Sequence, residues 1–585
     1  MKKIYFDAST RQTLKKVLKY LKNYRLWLVL SLVLALITTA TSLYAPILIG
    51  EAIDYITEPG KVNLSAILEK LFVVGILVII SAVTNWLMNL ANNKITYNTV
   101  RDIRRDAIGK LERLPMSFFD RTRTGDVVNR VIADVDTFAD GLLLGFTQLF
   151  TGIITIVGTL VLMLSINPGI AALVVVLTPV SLLIAGFIAK NTHSMFLVQS
   201  KTRAEQTSYI DEMIGNQKLV QAYCYEDKSV EKFNEINERL KKCSLRATFF
   251  SSLVNPSTRF INNIIYACVA LVGSYSVIAG RLTIGGLSIC LNYSNQYAKP
   301  FNEISGVVTE LTGALTCASR IFEILEEPEE VPDASDAVDI QNVDGEIKIN
   351  DVSFSYVPER KLIENFNLVA KPGMRVAIVG PTGCGKTTLI NLLMRFYDTG
   401  SGTIRVDGKE IKNVTRQSLR ESYGMVLQDT WLASGTIREN IAMGKPDATF
   451  EEIVEAAKAS YCDSFIRQLP QGYDTYIEEG GGNLSQGQKQ LLCIARIMLC
   501  LPPMLILDEA TSSIDTRTEL KIQNAFAKLM EGRTSFVVAH RLSTIQNADL
   551  ILVMKDGNIL ETGKHEELLA KGGFYANLYN SQFVQ

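Results

Sequence analysis

Gly380-Pro381-Thr382-Gly383-Cys384-Gly385-Lys386-Thr387 follows the apolar run Arg375-Val376-Ala377-Ile378-Val379 and leads into Thr388-Leu389-Ile390-Asn391-Leu392-Leu393. This is a full match to the phosphate-binding P-loop in the setting it requires, a strand before and a helix after. The glycines let backbone N–H groups converge on β- and γ-phosphates, and the helix N-terminus adds its dipole. Lys386 is the point charge for those phosphates, and the Thr387 hydroxyl is placed for Mg²⁺. Cys384 reads as a small filler whose alkylation would block nucleotide. A second buried strand, 504–507, ends in Asp508-Glu509. Adjacent carboxylates at a strand end suit a division of labour, Asp508 orienting the Mg²⁺ shell and Glu509 polarising the attacking water. The run 535–538 leads to His540 and the run 425–427 to Gln428. A lone histidine is more often structural, yet this strand end also suits contact with phosphate, and position alone leaves Gln428 open as a ligand. The polar stretch Leu484-Ser485-Gln486-Gly487-Gln488 lies between the P-loop and the acidic strand end. In that order it reads as half of a site, an anion cradle that faces another protein's ATP.

Elements must position these residues, and composition bounds them. The 585 residues exceed one domain, and the 48% hydrophobic content is unevenly spread. Long apolar runs precede about residue 330; after it, short apolar strands alternate with amphipathic helices. A net charge of −1 gives no global attraction to nucleic acid. The nine cysteines include no CxxC pair, so neither a disulfide framework nor a zinc site is expected.

The runs 27–49, 71–90, 142–166, 170–189, 253–279 and 284–315 have the length of bilayer-spanning helices, which need about 20 residues. The last two are unusually polar. Lys and Arg crowd the N-terminal segment and the linkers 92–140 and 190–246, while 165–169 has no charge. The positive-inside rule then places the N-terminus and both linkers in the cytosol. Apolar steps of three and four residues in both linkers predict helices that continue beyond the membrane. Leu114-Pro115-Met116-Ser117-Phe118-Phe119-Asp120 breaks the first extension; it is either a local cap or, as we favour, a knob that docks on a cytosolic domain. Glu326 to Asp333, acidic and proline-bearing, reads as a solvated hinge.

The ordered set Tyr356, 380–387, Gln428, 484–488, Leu507-Asp508-Glu509, Ser513-Ile514-Asp515 and His540 resembles that of the ATP-binding cassette transporters over essentially the whole chain. The membrane half, with Ser117-Phe118-Phe119-Asp120-Arg121 and Thr124-Gly125-Asp126, is similar to a type IV exporter half-transporter. The resemblance implies an α-helical transmembrane domain of six long helices (1–325), a linker (326–341) and an α/β P-loop NTPase cassette (342–585). It implies that Tyr356 stacks on adenine, that 380–388 cradle ATP, and that Thr387, Gln428 and Asp508 serve Mg²⁺. Glu509 would be the general base, His540 would contact the γ-phosphate, and Asp515 would line the dimer interface. Ser485, Gly487 and Gln488 would touch the partner-site ATP. The Phe118–Asp120 turn and 215–220 would be coupling helices.

Two departures stand out: the signature carries Gln486 where glycine is usual, and Ser513-Ile514 replace the usual alanine and leucine. With Glu509 and His540 intact, this half fits the consensus subunit of a heterodimer, a homodimer being the alternative. The expected function is ATP-driven, alternating-access efflux of amphipathic small molecules, drugs or lipids from the cell membrane, with membrane lipid as surroundings. The cassette would be cytosolic. Polar residues of the last two spans (Asn255, Asn262, Asn263, Asn292, Asn295, Gln296, Lys299, Asn302) become candidates for the cavity wall. A peptide exporter fits less well, because about 25 residues precede the first span. An ATP-gated regulator or channel without a transport cycle is the other alternative; Glu509 argues against it, since a pure gate need not hydrolyse.

Overall fold

The computed structural model describes residues 8–56, 62–357, 361–427, 430–508, 514–538 and 545–583, without the side chains of residues 8–10, 479 and 582–583 and of a few inside the helices around 182–193 and 302–309. It forms two compact units, one of Met1–Leu114 with Thr122–Glu329 and one of Pro115–Arg121 with Glu330–Gln585.

The first unit is helical. Five helical stretches among the described residues are long and apolar enough to cross a membrane. They start at Arg11, Leu64, Thr124, Pro168 and Glu226. The expected sixth span lies in helix Ile284–Glu326, which carries Asn292, Asn295, Gln296 and Lys299 and is not among the five. Helices Leu64–Leu111 and Pro168–Gly215 are each 48 residues long, more than twice what a bilayer needs. The Asn167-Pro168-Gly169 turn is a helix start: Asn167 Oδ1 accepts from the N–H groups of Gly169 (3.0 Å) and Ile170 (3.2 Å), with Pro168 at the first helical position. In Leu64–Leu111 the apolar half is exposed, as at Phe72 and Ile79, whereas Ile95, Val100 and Ile103 are buried. A lipid-facing stretch followed by a packed one gives that pattern. Small residues let helices close on one another: a Cβ on Gly141 of helix Val135–Ile166 would stand 2.4 Å from Ala314 Cβ.

The second unit carries two main sheets. An antiparallel sheet has the order β2-β1-β4-β5, from β1 (Ile347–Phe354), β2 (Ile363–Ala370), β4 (Ser401–Val406) and β5 (Lys409–Glu410). A six-stranded sheet has the order β12-β11-β3-β10-β9-β6. Its strands are β3 (Arg375–Val379), β6 (Tyr423–Val426), β9 (Met504–Asp508), β10 (Thr534–Val538), β11 (Leu550–Lys555) and β12 (Asn558–Gly563), and all but β12 run parallel. A short pair, β7 (Gly435–Thr436) with β8 (Tyr476–Ile477), completes the set. The central strands are buried at nearly every position and mostly apolar because both faces are covered.

The expected solvated hinge is partly ordered. Asp333 accepts from Arg416 through its backbone N–H (2.9 Å) and its guanidinium (2.7 Å), and lies 3.3 Å from Arg395 Nη1. Arg395 and Arg416 are themselves buried, so their charges need these carboxylates.

Candidate functional site

Parallel strands deliver their C-terminal ends to one edge of a sheet, where ligands of open α/β folds bind. Here β3 runs into the P-loop, and Ile378, Val538 and Asp508 share one register row across β3, β10 and β9. The chain continues from β6, β9 and β10 into Gln428, Glu509 and His540. These three expected site residues lie outside the described residues.

The P-loop is built by close approaches. A Cβ on Gly380 would stand 2.2 Å from the Met554 carbonyl oxygen, so only glycine lets the loop leave β3 beside β11. Gly385 (φ +101°) caps helix Lys386–Leu393 without any side-chain bond. The first-turn N–H groups are thereby left pointing outward. Lys386 Nζ donates to the carbonyl oxygens of Gly380 (2.8 Å) and Pro381 (3.0 Å), which hold the ammonium across the loop. Pro381, Thr382, Gly383 and Thr387 are exposed, whereas Cys384 and Thr388 are buried. Cys384 packs with the core of β3 and its helix, as a filler should.

One loop-positioning residue escaped the sequence reading. Gly557 donates its N–H to the Cys384 carbonyl (3.1 Å) from the β11–β12 turn. Asp556 (φ 49°) and Gly557 (φ 80°) both lie in the left-handed region that a two-residue hairpin turn demands. A Cβ on Gly557 would fall 1.3 Å from the Leu362 carbonyl oxygen. The signal was present, since Asp-Gly between apolar runs is the strongest short hairpin cue.

Tyr356 is half-exposed just beyond β1. Its ring meets Phe354 and Tyr397 edge-on, each at 5.0 Å, and its hydroxyl accepts from Asn391 Nδ2 (3.2 Å) on the P-loop helix. An aromatic face is thus fixed beside that helix. Tyr397 also donates to the Asp120 carboxylate. Burial, with that carboxylate, pushes the Tyr397 phenol well above its usual range. Asp120 belongs to Pro115–Arg121, whose Phe118 is buried in this same unit. The expected second coupling segment forms a short helix, Gln217–Ala222, with Val220 buried and Leu219 and Tyr223 exposed.

The signature stretch is the start of helix Gln486–Cys500. Ser485 closes a capping box: its Oγ accepts from Gln488 N–H (3.3 Å), and Gln488 Oε1 accepts from Ser485 N–H (2.9 Å). The Gln488 carboxamide oxygen is therefore committed within the chain, and its N–H₂ group remains a donor. The Ser485 hydroxyl has accepted one bond and keeps its own hydrogen to donate. Gln486 donates to Thr430 Oγ1 (3.2 Å), so the departure from glycine is tied to the segment after Gln428. Gly487 is buried, and a Cβ there would meet Thr518 Cγ2 at 2.5 Å. Asp515 caps helix Thr516–Met530, and the Thr518 N–H on its carboxylate holds that group below the usual carboxylate range.

Alternation along β9 relates the two stretches. Met504 and Ile506 enter the core that holds Leu389, Ile390, Leu392 and Leu393 of the P-loop helix. Leu505 and Leu507 enter the core that holds Leu491, Leu492, Ile494 and Ala495 of the signature helix. Successive side chains of a strand point to opposite faces. The P-loop helix and the signature helix therefore cover opposite faces of one sheet.

Comparison with known proteins agrees with this layout. Residues 28–301 match the family profile described as ABC transporter transmembrane region, and residues 363–512 match that described as ABC transporter. A fatty acid ABC transporter ATP-binding/permease protein of Mycobacterium bovis is 43% identical over 88% of this chain and 82% of its own length. The ATP-dependent lipid A-core flippase of Desulfotalea psychrophila is 37% identical over 84% of this chain and 85% of its own. The solved structure of a bacterial Atm1-family ABC exporter with ATP bound superposes with a TM-score of 0.78 at 27% identity, covering 97% of this chain and 99% of that one.

Proposed function

The chain belongs to the ABC transporters as an exporter half that couples ATP hydrolysis to transport across a membrane, and from that premise we propose that its P-loop and its signature serve two different ATP molecules. The observation that carries this reading is the placement of the two helices on opposite faces of one sheet. Half-transporters of this family dimerise, and a partner's signature would complete the site at this chain's P-loop.

In that arrangement Lys386 and the loop N–H groups bind the β- and γ-phosphates, and Tyr356 offers its face to adenine. Thr387 and Asp508 are hard oxygen donors, one exposed at a helix start and one at a strand end. That sparse set fits Mg²⁺, which keeps waters and phosphate oxygens in its shell; Gln428 would be a third contact. When bound, the metal neutralises charge on the transferring phosphoryl group. Glu509 takes the role of general base and His540 that of a γ-phosphate contact. Ser485 donates its hydroxyl hydrogen, and the N–H groups of Gln486 and Gly487 add the helix dipole, toward the partner's nucleotide. The cassette and the N-terminus face the cytosol on the charge distribution of the loops. Residues 1–325 form the membrane domain and 342–585 the cassette, with 326–341 between them. Pro115–Arg121 is read as a coupling segment because Phe118 and Asp120 are held in the unit that contains the cassette.

We read the substrate as an amphipathic molecule, a description that fits the fatty acid and lipid A-core of the two relatives. The partner is read as a second, different half-transporter, since Gln486 alters the signature while Lys386 and Glu509 are retained. The chain purified alone should hydrolyse ATP only slowly. Robust, drug-stimulated hydrolysis without a second subunit would refute the heterodimer. Photolabelling with an azido-ATP tests the split of roles: Lys386→Ala should abolish labelling of this chain, and Ser485→Ala should leave it intact while lowering labelling of the partner.

A further inference from the structure

Two cavities adjoin in the helical unit. The deeper, about 470 Å³, is lined by residues of four helices, among them Thr38, Ser81, Thr151, Gln296, Lys299 and Glu303. The second, about 320 Å³, shares Glu303 and adds Asp140, Gln148 and Glu310. Asp140 and Glu310 lie nearer the ends of their helices that enter the cytosolic linker and the cassette linker, so the second cavity is the mouth of the first.

Four of the hydroxyls lining the deeper cavity are polarised one way. Thr147, Thr151 and Thr155 recur every four residues along helix Val135–Ile166 and donate to the carbonyls of Leu143 (2.9 Å), Thr147 (2.6 Å) and Thr151 (2.7 Å). Thr38 spends its hydrogen on Thr84 (2.8 Å). Each of these four has spent its one hydrogen and keeps lone pairs, so what it offers a ligand is acceptor capacity; Thr147 already accepts once, from Asn92 Nδ2 (3.3 Å). Asn85 and Gln296 can turn either end to a ligand. Lys299 is the one cation among the described lining residues of both cavities, one helical turn from Glu303; Asp140 and Glu310 leave a surplus of two negative charges.

We infer that this exporter's cavity takes an organic cation: an amphiphile bearing an ammonium, phosphonium or guanidinium group, drawn in past Asp140 and Glu310 and held by threonine lone pairs and Glu303. Acidic walls of low dielectric concentrate cations at a mouth, and the lone pairs of the four committed threonines hold them inside. The inference deepens the exporter reading and rests on it.

The test uses two ions of one shape and opposite charge, tetraphenylphosphonium and tetraphenylborate, on the full-length transporter, with its partner subunit, in lipid vesicles. The readout is the concentration of each that half-maximally alters ATP hydrolysis, for wild type and for Asp140→Asn/Glu310→Gln. Membrane partition cancels between the two proteins. Neutralisation should raise the tetraphenylphosphonium concentration by at least about tenfold, since even one unit charge roughly 12 Å away at an effective dielectric near 20 is worth that much and two are removed, and leave that of tetraphenylborate equal or lower. Should the variant fail to fold, wild type at rising salt gives the same comparison, with only the cation losing potency. Equal shifts for both ions, no shift, or no response to either would overturn the inference. A wild type that does not hydrolyse ATP would instead overturn the exporter reading beneath it.

Discussion

Replacing Gly487 by alanine puts a methyl group 2.5 Å from Thr518 Cγ2 and 3.1 Å from Ile514 Cγ2. The best carbon–carbon separation is roughly 3.5–4.0 Å, so the first contact is about 1 Å too close. Thr518 is β-branched and stiff, so its methyl cannot swing aside freely. Alanine in a helix gains about 1 kcal/mol over glycine, whereas an overpacked methyl costs about 1–3 kcal/mol. The expected net loss is about 0–2 kcal/mol, taken as a shift of helix Gln486–Cys500 away from helix Thr516–Met530. Thr518→Ser removes the offending methyl and leaves the Ile514 contact, which has to give by only a few tenths of an ångström. The double variant should therefore recover stability, with a coupling of about 1 kcal/mol or more between the sites. Thermal unfolding of the full chain in detergent, read for wild type, both single variants and the double, measures that coupling. ATP hydrolysis by the reconstituted transporter, measured on the same four proteins, separates packing from chemistry. Additive effects on stability would refute the packing argument. Recovery of stability without recovery of hydrolysis would show that the space at Gly487 is needed by the partner's nucleotide itself.

Gly557→Ala should abolish ATP binding by isothermal titration, because its methyl would fall 1.3 Å from the Leu362 carbonyl and the turn holds the P-loop at Cys384; normal affinity would show that this turn does not set the loop. Glu509→Gln should lower hydrolysis by at least about 100-fold while ATP still binds, with vesicle transport stopping; continued pumping would remove Glu509 from the role of base. Asp515→Ala should lower the melting temperature at neutral pH. Because the native Asp515 pKa is depressed, the stabilisation exists above the unfolded carboxylate value of about 3.9 and fades as pH falls through the native one, so the two melting curves should converge below about pH 4; a gap independent of pH would mean that the carboxylate charge contributes nothing to the cap.

What could be read in the sequence was what depends on local order. The P-loop announces itself because strand, glycines, lysine and helix are contiguous, and Asn167-Pro168-Gly169 is legible because a cap is made by its immediate neighbours. Phe118 and Phe119 suggested a docking knob because two aromatics in a polar turn lack local cover. The contact of Tyr397 with the neighbouring Asp120 was not legible, since nothing near residue 397 encodes a bond to residue 120. The run 504–508 is apolar at every position through Leu507, so its period reveals no face. Only the two cores in the structure divide Met504 and Ile506 from Leu505 and Leu507. The threonines at 147, 151 and 155 were visible at a four-residue spacing, yet they sit in a run read for its length and apolarity, and attention went to the amides of the last two spans. Of those amides Gln296 lines the deeper cavity, as does Lys299. Asn292 donates instead to Ser288 of its own helix.

The opposite-face arrangement fixes how ATP can drive this machine. β9 and β10 are buried along nearly their whole length between two cores, so the sheet cannot fold over to bring this chain's signature to its own P-loop. Closure must come from a second cassette. To move a two-state equilibrium from 1:99 to 99:1, ligand must favour the closed state by about 5.5 kcal/mol. Hydrogen bonds to charged groups contribute about 1.5–3 kcal/mol each. In the proposed arrangement Ser485 Oγ–H and the N–H groups of Gln486 and Gly487 would be three such donors, so one signature on one triphosphate would supply about 4.5–9 kcal/mol. That range brackets the requirement, and all of it would exist only in the closed state. The capping box matters here because it occupies a lone pair of Ser485 and leaves the hydrogen, biasing the residue toward an acceptor such as phosphate. Hydrolysis then withdraws the γ-phosphate that these donors need, and the same margin that closes the pair lets it open.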